Sequence, residues 1–328
     1  MHAHLSGRAD PWNSLNPSHD HTENHPPRAW IEMGCLALLW GASFVAVRVA
    51  LDEIGPLTSV AHRVFWAMLV LWAAVATMRL PLPRDPRIWA AFLLMGLLNN
   101  VIPFSLMAWG QLHIPSGLTS ILNAATAIFG VLAAAIFLAD ERITPRKAIG
   151  VCLGFAGVST AIGLENLTNF DLGSLAQLAV LGGAMSYAMA GVCARKLLPG
   201  QPPQLAAAGM LTGATLVMLP LAWVAEGPLT LNLAPATLVA IAYYALAATA
   251  LAYLLYYRVL GMAGSSNLML VTLLVAPVAI LLGAWLRDET LRPAAYGGFA
   301  LLALGLLVLD GRIWRLVKHW GSQGKRST

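Results

Sequence analysis

Residues 110–163 and 258–311 carry one pattern written twice. A shift of 148 positions places Asp140-Glu141 on Asp288-Glu289, Pro145 on Pro293, Gly150 on Gly298 and Gly157 on Gly305, without a gap. Each copy is an apolar run, an Asp-Glu pair, a short polar link with a proline, and a second apolar run punctuated by glycine. A repeat of this kind in an apolar chain points to two related halves that share one membrane-embedded pathway.

The apolar runs set the fold class. The chain has 328 residues, of which 58% are hydrophobic and 11% charged. A hydrocarbon core of about 30 Å needs about 20 apolar residues of helix to cross it. Ten runs qualify: 30–51, 57–78, 88–111, 117–139, 147–164, 173–194, 204–225, 235–257, 265–286 and 294–311. They are continuously apolar, where barrel strands alternate. The expectation is an all-α polytopic membrane protein. Its ten transmembrane helices form a first five-helix repeat over 29–164 and a second, inverted one over 173–311. Segments 1–28 and 312–328 are polar and read as cytoplasmic tails, the first without a folded core. Cys35, Cys152 and Cys193 all fall in runs, so no disulfide framework is implied.

Orientation follows from the basic residues. Sixteen Lys and Arg fall in the tails and in the links after spans two, four, six and eight, against only Arg287 and Arg292 on the opposite side. The positive-inside rule puts both termini in the cytoplasm. Clustering of the +5 net charge in short loops makes it a topology signal and sets nucleic acid aside as a partner. Five spans per half is an odd number, so the second half must run upside down relative to the first. Inverted halves are a device for alternating access about a central site.

Polar residues inside spans are costly and mark candidate sites. Trp40, Phe44 and Arg48 share one face of span one. Arg48 could hold a substrate carboxylate, or it could pair with Asp52 one turn on. Arg63 and His62 near the start of span two read the same way, with the structural role favoured. Span three carries Asn99-Asn100 followed by Pro103, which removes a helical hydrogen bond; Asn100 and Phe104 share a face. Asn123 in span four, Tyr187 after Gly182-Gly183 in span six, and Tyr243 and Tyr253 in span eight complete the substrate-binding candidates. Pro103 and Pro277 are the gating candidates, Pro277 as a mid-depth break that reads equally as a tolerated kink. The Asp-Glu links read as caps for the helices that follow them, or as partners of Arg142 and Arg292. No metal cluster, phosphate loop or nucleophile triad shows, so no cofactor and no enzyme activity is expected. No carboxylate falls at mid-span, which favours a carrier without proton coupling.

The two Asp-Glu-x3-Pro-x4-Gly links and Trp40-Gly41-Ala42-Ser43-Phe44 resemble the EamA-type members of the drug/metabolite transporter superfamily, over about residues 30–311. Within it the chain is most similar to bacterial aromatic amino acid exporters of the YddG type. The second half departs from the Trp-Gly-x-x-Phe pattern and offers Gly182-Gly183-Ala184-Met185-Ser186-Tyr187 instead. The resemblance implies a secondary exporter of small metabolites, foremost amino acids including aromatic ones, by uncoupled efflux. Its partners are a small-molecule substrate and membrane lipid, with a monomer as the working unit. The alternative is a carrier for a drug, purine or nucleotide-sugar-like solute, with proton coupling.

Overall fold

The computed structural model describes residues 27–139, 142–162 and 172–310, and all regular structure among them is helical. Lipid offers the backbone no hydrogen bonds, so an apolar run must satisfy its own peptide groups, and only a helix does so locally. Seven helices start on proline: Pro27, Pro56, Pro86, Pro145, Pro203, Pro235 and Pro293. At the first helical position the missing N–H costs nothing, and the ring presets φ.

Seven helices are long and apolar enough to cross a membrane: Trp30–Ala50, Pro56–Thr77, Pro86–Gly110, Ser116–Phe137, Ser174–Leu197, Pro203–Glu226 and Pro235–Tyr256. They correspond to expected spans one to four and six to eight. Helix Pro145–Ile162 and the shorter apolar helices Leu274–Arg287 and Pro293–Leu309 stand at the expected spans five, nine and ten. The sequence places a break between spans eight and nine, at 258–264. Helical geometry is kept from Ala252 to Arg287, through that link. The path of the chain nevertheless reverses there, as a link between two spans requires. Ala234 meets Glu53, and Arg258 meets Glu32, so span eight runs against span one. Gly41 then packs on Val275 and Val278, and Arg287 reaches Asp52, so span nine runs along it. The reversal lies between Arg258 and Val275, where Gly261, Gly264, Ser265 and Ser266 lower the cost of a sharp bend. For Pro277 the sequence leaves a gating hinge and a tolerated kink open; helix continues through it.

Contacts between helices repeat under exchange of the halves. Span three packs on span seven, and span eight on span two. Span three also packs on span six, and span eight on span one; span four packs on span six, and span nine on span one. Spans two and seven, four and nine, and five and ten pack on each other. This is the pattern of a two-fold axis in the membrane plane, with spans n and n+5 exchanged.

The repeat's glycines are the fifth–tenth crossing itself. A Cβ on Gly157 would lie 2.5 Å from Leu302 N, and one on Gly298 would lie 2.6 Å from Gly157 O. A Cβ on Gly150 would lie 2.9 Å from Gly305 O, and one on Gly305 would lie 2.8 Å from Gly150 O. Backbone touches backbone at each, as small residues permit in membranes. Only glycine fits, which is why the repeat keeps glycine at these positions in both copies. Gly157→Val should force the pair apart. Overpacking of this kind costs about 1–3 kcal/mol, to be read as a lowered melting temperature in detergent; the same substitution at Gly130, with open space around it, should leave that temperature nearly unchanged.

Candidate functional site

Among the described spans, span four breaks its helix at Ala124-Ala125. Spans three and eight, exchanged by the two-fold, widen at mid-depth. Each contains a wide turn with i→i+5 bonding, over Leu97–Val101 and Tyr243–Leu251. Shifting the first by the 148-residue repeat lands on 245–249, inside the second. Such turns free carbonyls and collect at functional sites. Pro103 has no N–H to return to Leu98, five residues back. Ser186 of span six fills the gap, its hydroxyl donating to Leu98 O at 2.7 Å. Gly183, one turn from it, lets span six approach Pro103. In span eight the Thr249 hydroxyl donates to Tyr244 O, again five residues back, at 2.7 Å.

A polar cluster forms around these turns. The Asn99 side-chain amide donates to the Tyr253 hydroxyl at 3.1 Å, and that hydroxyl donates to Asn100 Oδ1 at 3.3 Å. Arg63 Nε donates to Thr249 Oγ1 at 2.9 Å, and its guanidinium carbon lies 3.9 Å from the centre of the Phe104 ring. Phe104 meets Tyr187 edge to face, with centroids 6.3 Å apart. Asn100 is fully buried and its Nδ2 has no partner. Arg63, Asn99, Tyr187 and Tyr253 keep part of their surface accessible.

Of the sequence candidates, Asn100, Phe104, Tyr187 and Tyr253 come together here, with Pro103 shaping the turn beneath them. Tyr243 reaches span one instead, donating to Leu39 O at 3.2 Å. Trp40 meets Tyr256 as a tilted ring pair with centroids 5.9 Å apart, and Phe44 sits where two apolar clusters meet. Asn123 holds a buried Oδ1 without a partner in span four. Arg48 is paired with Asp52 at 2.8 Å, at the end of its span. Arg63, Asn99 and Thr249 were missed as members of the site. The depth of Arg63 was the signal. It follows Pro56 by seven residues, roughly 10 Å into the span at 1.5 Å per residue, where an arginine needs a partner.

The Asp52 end of the bundle is tied by carboxylates. Asp52 also accepts from Arg287 of span nine. Glu226 of span seven accepts from Leu57 N and Thr58 N at the start of span two, at 3.0 and 2.7 Å. Glu53 accepts from Ala234 N and Thr237 at the start of span eight. Glu289 accepts from Ser116 N at 2.9 Å and Ser116 Oγ at 2.7 Å. Each of these three glutamates meets the positive end of a helix that it does not precede. The Asp-Glu pair at 288–289 was expected to cap its own following helix, or to pair with Arg292. Glu289 caps span four, in the other half, because the reversed halves bring that N-terminus beside it. Asp140-Glu141 lie outside the described residues. A polar pocket lined by Arg48, Gln111, His113, Arg287 and Glu289 opens at this end. At the opposite end Glu32 pairs with Arg258 at 2.6 Å and Arg28 at 3.0 Å.

Apolar helices in exchanged halves around a mid-depth polar cluster define a polytopic membrane protein of the carrier class. The profile of the EamA-like transporter family matches residues 29–162 and again 174–309, and the chain belongs to that family. A probable amino-acid metabolite efflux pump of Escherichia coli K12 is 25% identical over 302 residues, 88% of this chain and 98% of that protein. The uncharacterized transporter YoaV of Bacillus subtilis is 28% identical over 48% of this chain, the match spanning about half (53%) of its length. A probable terminal-alkyne amino-acid exporter of Streptantibioticus cattleyicolor is 32% identical over 37% of this chain and 40% of its own. A solved crystal structure superposes with a TM-score of 0.62 at 17% identity, over 86% of this chain and 96% of that one, and supports the fold.

Asp52 supplies a pH test. Burial pushes its carboxyl up, but Arg287 and Arg48 pull harder, and the net shift is below the ordinary 3.8. A depressed value means the tie is complete above 3.8 and is lost as pH falls through the lower, folded value. Asp52→Asn should therefore lower the melting temperature at pH 7, and the difference from the unmodified chain should shrink as pH drops below 3.8.

Proposed function

We propose that this chain is an efflux carrier for small amino acids and related metabolites, aromatic ones included, working by alternating access in a bacterial inner membrane with both termini in the cytoplasm. The observation that carries this reading is the pairing of the two wide turns. They lie on exchanged spans, at mid-depth, and the polar cluster is built from both. A site shared by two inverted halves is the one place that either half can expose by tilting against the other. Under this reading the Asp52 end is the outer gate, and its carboxylate ties hold that gate shut. The Glu32 pairs play the same role on the cytoplasmic side.

The lining fits the substrate class. Phe104, Tyr187 and Tyr253 offer aromatic faces and edges to an apolar side chain. Asn99, Asn100 and Arg63 offer a polar end. The relatives from Escherichia coli and Streptantibioticus cattleyicolor carry amino-acid efflux or export in their names, which agrees with this chemistry. The cluster holds no carboxylate to relay a proton, so flux is driven by the solute's own gradient.

Counterflow in proteoliposomes with radiolabelled Phe, Trp, Thr, Met and uracil tests the reading. Saturable exchange of amino acids that persists with an uncoupler is the expected result. Exchange of uracil alone would move the chain to another solute class. Asn100→Ala should slow exchange by about tenfold without loss of folded protein; unchanged exchange would remove Asn100 from the site.

A further inference from the structure

We propose that Arg63 is the anchor for a carboxylate on the transported solute, and that the site selects its cargo by that carboxylate more than by an amine. The inference rests on the carrier reading and deepens it. A buried guanidinium needs a counter-charge or a full set of acceptors. Among the described residues Arg63 has neither. Its Nε–H goes to Thr249 Oγ1, and its flat face lies on Phe104. No carboxylate pairs with it there.

Those two contacts fix the group in a particular pose. Thr249 holds the Nε side and Phe104 holds one face, so the Nη edge stays free. That edge is a rigid two-donor fork, matched in shape to a carboxylate. The cation–aromatic contact, 3.9 Å from the ring centre, holds the fork in place between transport events. Arg63 keeps part of its surface accessible, and neither Nη is both fully buried and without a partner.

The neighbouring side chains carry the same bias. One turn below Phe104 stands Asn100, fully buried, with a donor Nδ2 that nothing accepts. Its acceptor oxygen is already taken by Tyr253. The buried atom of the cluster left without a partner is thus a donor, and the cluster's net charge is positive. An acceptor-rich monoanionic group satisfies both. No acidic side chain in the cluster waits for an ammonium group; hydroxyls and ring faces would have to receive it. One arginine balances one negative charge, so dicarboxylates and phosphate esters are poor cargo.

Exchange in proteoliposomes of the full chain distinguishes the possibilities, with L-phenylalanine, phenylpyruvate and phenethylamine as probes. The three share a ring; the second lacks the amine and the third lacks the carboxylate. The expected result is exchange of phenylalanine and phenylpyruvate within about tenfold of each other, with phenethylamine at least thirtyfold weaker. Arg63→Lys, which keeps the charge and loses the fork, should raise KM for phenylalanine about tenfold with kcat little changed. Arg63→Gln should abolish the preference for phenylalanine over phenethylamine. Equal exchange of phenylalanine and phenethylamine by the unmodified chain would overturn the anchor while leaving the carrier reading intact. So would a folded Arg63→Gln protein with unchanged KM. If Arg63→Gln does not fold, the three-probe series on the unmodified chain decides alone. Absence of saturable exchange for all three probes would overturn the anchor and the aromatic amino acid reading together.

Discussion

Hydrocarbon leaves no backbone carbonyl unattended, and the site grows out of that constraint. The wide turns in spans three and eight release carbonyls from the helical ladder in the middle of the bilayer. Ser186 crosses from span six to meet Leu98 O, and Thr249 bends back to Tyr244 O. The first repair ties span three to span six, and the second stays within span eight. Thr249, held in this way, then receives Arg63. The polar cluster is therefore a consequence of two local departures from α geometry, placed by the repeat at equivalent depths.

The two-fold relation explains features that look unrelated along the chain. Gly150, Gly157, Gly298 and Gly305 are far apart in sequence, yet they form one self-complementary crossing. An isologous contact requires the same small residue on both partners, so the repeat preserves them. The same axis puts Glu289 at the start of span four and Glu226 at the start of span two. Helix N-termini and glutamates gather at one end because odd-numbered halves reverse. The tie at that end is electrostatic and partly exposed, whereas the fifth–tenth crossing is close-packed. In the proposed carrier the first is the gate and the second the fixed scaffold.

Much of this was legible in the sequence. Apolar length gave the spans, the repeat gave the two halves, and Pro103 beside Asn99-Asn100 marked the first wide turn. The second wide turn was not legible. Tyr243–Leu251 contains no proline and no long polar run, and only the 148-residue offset points to it. Arg48 and Arg63 show the limit of reading charges one at a time. Both sit in spans, but Asp52 lies one turn from Arg48, while the partners of Arg63 come from spans three and eight. Sequence distance hides that contact. The continuous helix through Pro277 is undecided in the sequence for a related reason: proline removes one hydrogen bond, and the packing of span nine on span one holds the rest.

The central claim is that the second half runs through the membrane upside down relative to the first. Thiol labelling tests it most directly. Arg142→Cys and Arg292→Cys would each be placed in a chain whose Cys35, Cys152 and Cys193 are serine, and intact cells would be treated with an impermeant maleimide. The account predicts labelling at position 292 in intact cells and at position 142 only after permeabilisation. Labelling of both positions from the same side would contradict it.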